Sequence, residues 1–152
     1  MHKVAPAIEG AVAIPLLHIV DAAAAEIRCA GLNTVGLLGT RFTMEQDFYI
    51  DRLRTHYGIA VKVPEAEDRE IVHRVIYEEL CLGRIVDRSR AQYRRIIRQL
   101  ADSGAEAIVL GCTEIPMLVQ PGDSPIPLFD TTAIHARGAA EWALSGPEEA
   151  TL

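Results

Sequence analysis

The chain has 152 residues, 49% of them apolar and 24% charged, with a formal net charge of −6. That length buries roughly two thirds of the surface the unfolded chain exposes, so a globular domain forms without disulfide or metal staples. With 15 Lys and Arg against 21 Asp and Glu there is no basic face for nucleic acid, and no apolar run approaches the roughly 20 residues of a bilayer span.

From the N-terminus, Met1 opens without a leading strand and goes into a helix that precedes Pro15-Leu16-Leu17-His18-Ile19. Val35-Gly36-Leu37-Leu38 reads as a buried strand entering a turn at Gly39 and Thr40. From Thr43 to about Tyr57, Met44, Phe48, Ile50, Leu53 and Tyr57 fall near helical spacing, and Gly58 supplies a stop. Thr43 is the expected N-cap, with Gln46 three residues on completing a capping box. Ile59 to Val63 predicts a second strand closed by Pro64.

The run from Glu65 to Leu82 predicts a helix with Ile71, Val75, Ile76 and Leu80 on one stripe, ended by Gly83. A further helix from about Asp87 to Asp102 buries Ile96, Ile97 and Leu100, with Gly104 where a left-handed cap is wanted. The basic residues between Arg84 and Arg98 are interrupted by Asp87 and by apolar positions, which makes them a solvated helix face. Ala107-Ile108-Val109-Leu110 is the next buried strand and runs into Gly111-Cys112-Thr113-Glu114. Ile126-Pro127-Leu128-Phe129 repeats the scheme, with Asp130 and Thr131 capping a helix to about Leu144; residues after Ser145 are expected to fray. Short β-branched runs alternating with longer helical ones predict an α/β fold, a Rossmann-like, mostly parallel sheet flanked by helices.

Cys29, Cys81 and Cys112 are an odd number at long spacings, which argues against a disulfide framework and against a zinc site. Free thiols, with no N-terminal signal pattern, fit a cytoplasmic protein. Cys112 falls just past the carboxyl end of a buried strand, where open α/β sheets place their ligand crevices. A helix beginning near Thr113 would favour a thiolate there, making Cys112 a general base; the alternative is a small buried apolar residue. Leu37 to Met44 is a second motif, again a strand followed by a Gly turn and a helix start, whose Thr40 and Thr43 hydroxyls and free N–H groups suit a carboxylate.

Together these segments resemble the aspartate/glutamate racemase superfamily, in particular its aspartate-racemase-like branch. The strings are Met1-His2-Lys3, Ile14 to Ile19, Leu37 to Phe42, Thr43 to Tyr49, Ile76 to Gly83, Gly111 to Ile115, and Phe129-Asp130-Thr131 with Ile134-His135. The resemblance implies two similar α/β domains facing across a cleft, each supplying one acid/base residue to opposite faces of the substrate Cα, with no cofactor or metal. It assigns Cys112 as the base of the second domain and Thr40, Thr43 and Thr113 to the substrate carboxylates. Glu114 either orients the thiol or holds the following helix, and His2 reaches toward the cleft. His18 and His135 are expected to be hydrogen-bonded structural residues and Cys29 a structural one.

Relatives carry the other acid/base residue just before an Asn-Thr-Met-His segment, and this chain starts at that Met. The expected organisation is therefore a remnant of the first domain over 1–30 and a C-terminal α/β domain over 31–126. A returning strand and helix over 127–146 pack on the remnant, and a tail follows over 147–152. Some aspartate-specific relatives have Lys where Cys81 stands; Cys81 either lines the cleft or packs as a core thiol. The implied function is cofactor-independent racemisation of an acidic or small polar amino acid, in a chain expected to be a homodimer. Two other readings stay open: a single-cysteine decarboxylase-like member of the superfamily, and an inactive binding or interaction module.

Overall fold

Val35 to Leu38 and Ala107 to Leu110 are buried without interruption, and a strand buried on both sides needs helices on both faces of its sheet. The computed structural model, which describes residues 2–145, provides that arrangement. Four strands, β1 (Thr34–Leu38), β2 (Ala60–Lys62), β3 (Ala107–Leu110) and β4 (Leu128–Asp130), form a parallel sheet in the order β2-β1-β3-β4. In the central register Val35 lies beside Ala107 and Leu38 beside Leu110.

Successive side chains of a strand point to opposite faces, and the core divides accordingly. Leu38, Ile108 and Leu110 pack with Val72, Val75 and Ile76 of α5 (Ala66–Glu78), with Tyr93, Ile96 and Ile97 of α6 (Asp87–Asp102), and with Ile115 and Leu118 of α7 (Ile115–Leu118). On the other face Val35, Leu37, Ala107 and Val109 pack with Val20, Ala24 and Ile27 of α2 (Ile19–Cys29) and with Tyr49 and Leu53 of α4 (Asp47–Tyr57). The C-terminal helix α8 (Thr131–Leu144) lies along α2. A short N-terminal helix, α1 (Ala5–Glu9), precedes them.

The α/β class and parallel sheet agree with the sequence reading, as do the bounds of α6 and β3, the Asp130 cap and the left-handed Gly58 at φ 68°. Arg88, Arg94, Arg95 and Arg98 are exposed, so the basic run is a solvated face.

The helix expected over 43–57 is two helices. α3 (Arg41–Glu45) ends at Gln46, whose extended backbone (φ −95°, ψ 140°) starts α4. The break lets Met44 pack on one face of the sheet while Tyr49 and Leu53 pack on the other. The capping box is overturned with it: Thr43 lies inside α3, Thr40 is the N-cap residue, and Gln46 makes no side-chain cap bond. The helix expected to reach Leu82 stops at Glu78, and Leu80–Leu82 is a single 3₁₀ turn ended by Gly83 at φ 70°. The last strand is shifted to Leu128–Asp130 because Pro127 has no N–H to give the ladder and contributes only its carbonyl, to Ile108 N. The expected tail over 147–152 lies outside the described residues.

Candidate functional site

From β1 the chain passes through the short α3 to α4 on one face, and from the adjacent β3 it leaves for α7 on the opposite face. Diverging connections from neighbouring parallel strands open a crevice beyond their carboxyl ends, the general ligand position of open α/β sheets. Gly39 and Gly111 stand at those two ends, and Gly111 N donates to Leu38 O at 2.7 Å. A Cβ on Gly111 would meet Thr43 Cγ2 at 3.1 Å and Leu38 O at 3.2 Å, and one on Gly39 would meet Thr43 Cβ at 3.0 Å. The paired glycines therefore let Thr43 seat against both strand ends.

Thr40 and Thr43 face each other with their Oγ1 atoms 3.3 Å apart. The backbone donors expected beside them are largely engaged. Thr43 N and Met44 N both donate to Thr40 O, and Arg41 N donates to His73 Nδ1. The hydroxyls, rather than a free helix end, are what this turn offers a ligand.

Cys112 follows β3, half-buried and packed against the α5–α6–α7 side of the core. Its Sγ donates to Glu114 Oε2 at 2.9 Å, and Thr113 Oγ1 donates to the same oxygen at 2.7 Å. Burial pushes the thiol up to about 12, and the hydrogen bond to the Glu114 carboxylate adds to the effect. This corrects the expected thiolate. The helix that was to stabilise it, α7, has only four residues and starts at Ile115, whose N–H turns back to Cys112 O. Glu114 is the charged member, held below the usual carboxylate range by its bonds from Cys112 and Thr113. It makes no cap bond into α7, and its side-chain partners are Cys112 and Thr113.

His2 belongs to a 3₁₀ turn (His2–Val4) and packs edge-on against His18 at 4.6 Å and His135 at 5.8 Å between ring centroids. Burial, and then His135, lower its pKa. His18 is 3% exposed and accepts from Val20 N, while His135 Nε2 lies 3.0 Å from Leu17 O. Both are hydrogen-bonded structural histidines, as expected. Burial and then the Arg52 charge lower His18 to about 4. Beside it Arg52 forms a two-pronged ion pair with Asp21, both contacts at 2.6 Å.

A pocket of about 200 Å³ has His2, Lys3, Thr43, Tyr49 and Gly111 in its wall, and Thr40 and Cys112 lie outside that wall. The structure thus brings His2 and Thr43 to one pocket and sets Cys112, Thr113 and Glu114 on the turn that continues from Gly111. Lys3 and Tyr49 carry no site signal in the sequence: Lys3 is an exposed residue beside the chain start, and Tyr49 falls between Phe48 and Ile50 of an apolar stripe. Thr131 was read only as a cap partner, yet it reaches the same wall with its hydroxyl donating to Leu110 O at 2.8 Å. Cys81 and Cys29 are exposed, so neither is a core thiol. No group of three or more His, Cys, Asp or Glu among the described residues is placed to hold a metal ion, and none of the described helices is long and apolar enough to cross a membrane.

Residues 1–139 match the Asp/Glu/hydantoin racemase family. The chain is 30% identical over 129 residues, 84% of each chain, to an uncharacterized protein of the pnlA 3′ region in Pectobacterium carotovorum subsp. carotovorum. It is similar to the crystal structure of a candidate Asp/Glu racemase from Yersinia pestis, at 55% identity and a TM-score of 0.92. It is also similar to an aspartate racemase homologue from Pyrococcus horikoshii OT3, at 37% identity and a TM-score of 0.86. In both cases 95% of this chain is covered, and it spans 63% of the other chain's length. The Picrophilus torridus aspartate racemase, at 23% identity and a TM-score of 0.62, shares the fold.

Proposed function

This chain belongs to the Asp/Glu/hydantoin racemase family, and from that premise we propose that its crevice performs cofactor-independent proton transfer at the α-carbon of an acidic amino acid. The observation that carries the reading is Cys112 at the β3 end of the crevice, with its Sγ–H on the Glu114 carboxylate at 2.9 Å.

For abstraction the Sγ proton leaves to solvent, because the Glu114 carboxyl lies below the usual carboxylate range and the thiol well above its own, and the sulfur electron pair then removes the substrate α-proton. The Cα electrons delocalise into the adjacent carboxylate. Reversal returns the proton to the same face. In the opposite sense, the resting thiol donates directly to a carbanion formed by a base on the other face. The high thiol pKa suits that donor role, and the Glu114 carboxylate, by disfavouring the thiolate, favours it further. The Thr40 and Thr43 hydroxyls bind a substrate carboxylate, fixing Cα against the sulfur, and Thr113 holds Glu114 in position.

Net inversion requires a second acid/base group facing Cys112 across the substrate. The Cys112 face taken alone exchanges the α-proton with solvent without inverting the centre. The test is NMR of L-aspartate in deuterium oxide: Cys112→Ser should slow α-deuteration by at least about 100-fold. Deuteration at the wild-type rate in that variant would end the proposal.

A further inference from the structure

We infer that Tyr49 binds ligand, its phenol donating a hydrogen bond to a carboxylate oxygen held in the pocket it shares with Lys3, Thr43 and Gly111. The inference rests on the reading of the crevice as a site for an acidic amino acid, and adds to it the residue that anchors one acidic group.

Tyr49 is 4% exposed, and its ring packs in the α2–α4 side of the core with Leu53 and Val109. Phenylalanine would fill that space equally well. The hydroxyl is what needs explaining, because it is fully buried and finds no hydrogen-bond partner among the described residues. A buried donor without a partner destabilises a fold, and native structures keep few of them. Burial also raises the phenol above its usual range, so at neutral pH it remains an O–H donor.

The wall that Tyr49 shares indicates the missing acceptor. Lys3 supplies a cation, Thr43 a hydroxyl, and the remaining lining residues, Ile19, Phe48 and Thr131 among them, include no carboxylate. Thr131 is already committed to Leu110 O. Such a wall attracts an anion and has no negative charge with which to pair an ammonium group. About 200 Å³ compares with roughly 30 Å³ per water in the liquid, which is room for a carboxylate with its attached carbons. Gly111, in the same wall, is the residue before Cys112, so an anion bound here sits beside the turn that carries the thiol.

The test is calorimetric titration of the full chain and of Tyr49→Phe with L-aspartate and with succinate, which has both carboxylates and no amine. Loss of a hydrogen bond to a charged acceptor should weaken both ligands by at least about tenfold in the variant. Without ligand, the variant should melt no lower than wild type, because it has shed an unpaired buried hydroxyl. Affinities within twofold of wild type would overturn the inference and leave water as the phenol's partner. So would a wild-type chain that binds neither acid. These outcomes are separable from the proton-transfer reading: α-deuteration by wild type together with unchanged Tyr49→Phe affinity removes only the anchor. Tyr49-dependent binding together with a fully active Cys112→Ser removes only the role of the thiol.

Discussion

The two sides of the crevice hold ionisable groups of opposite type under the same physical pressure. On the β3 side, burial raises the Cys112 thiol; on the α2 side, burial lowers His2 and His18. Desolvation disfavours whichever form is charged, so the acid and the bases both become neutral near pH 7. What differs is the compensation. Cys112 faces a carboxylate that accepts its proton's hydrogen bond, whereas His18 faces the Arg52 guanidinium, which is itself neutralised by Asp21. One side has a thiol whose proton is held on a charged carboxylate, while the other is a neutral scaffold held by hydrogen bonds. The proton transfer we propose therefore rests with the cysteine, and the histidines pack the N-terminal turn that brings Lys3 to the pocket.

That contrast can be broken most forcefully at Arg52. Arg52→Ala leaves Asp21 half-buried without its partner, and chemical denaturation should register a loss of about 2–3 kcal/mol. Gly111→Ala acts on the cysteine side. Its new Cβ presses on Thr43 Cγ2 and Leu38 O at 3.1–3.2 Å, which should cost about 1–2 kcal/mol by the same measurement and impair α-deuteration as Thr43 is displaced. The smallest effect is nil at neutral pH. His18 has a folded pKa of about 4 against an unfolded value near 6.5. The unfolded chain therefore takes up the proton first as pH falls. Stability held above pH 6.5 is lost progressively down to about 4. Melting temperatures at pH 7 and 5 should fall less in His18→Asn, which keeps an acceptor for Val20 N and cannot titrate.

Much of this was legible in the sequence where one local rule governed the outcome. The buried runs 35–38 and 107–110 could only be central strands, and Asp130 before a helical stripe could only be a cap. Gly111-Cys112-Thr113-Glu114 after a buried strand marked the candidate site. The failures share a cause in tertiary demand. Gln46 breaks a helix because Met44 and Tyr49 are wanted on opposite faces of the sheet, which periodicity along one helix does not express. Tyr49 was hidden for the same reason, and Lys3 because an exposed residue beside the chain start carries no pattern of its own. The ionisation of Cys112 was misjudged because the length of α7 and the direction of the Glu114 carboxylate, which decide it, are set by packing rather than by composition.

The pairing of Cys112 with Glu114 is most directly tested by following alkylation of each cysteine with iodoacetamide against pH, resolved by peptide mass spectrometry. A protonated Cys112 predicts a rate that keeps climbing about tenfold per pH unit through pH 10, with a plateau at lower pH in Glu114→Gln. A wild-type rate at Cys112 that levels off by about pH 8, or a curve unmoved in Glu114→Gln, would contradict the account.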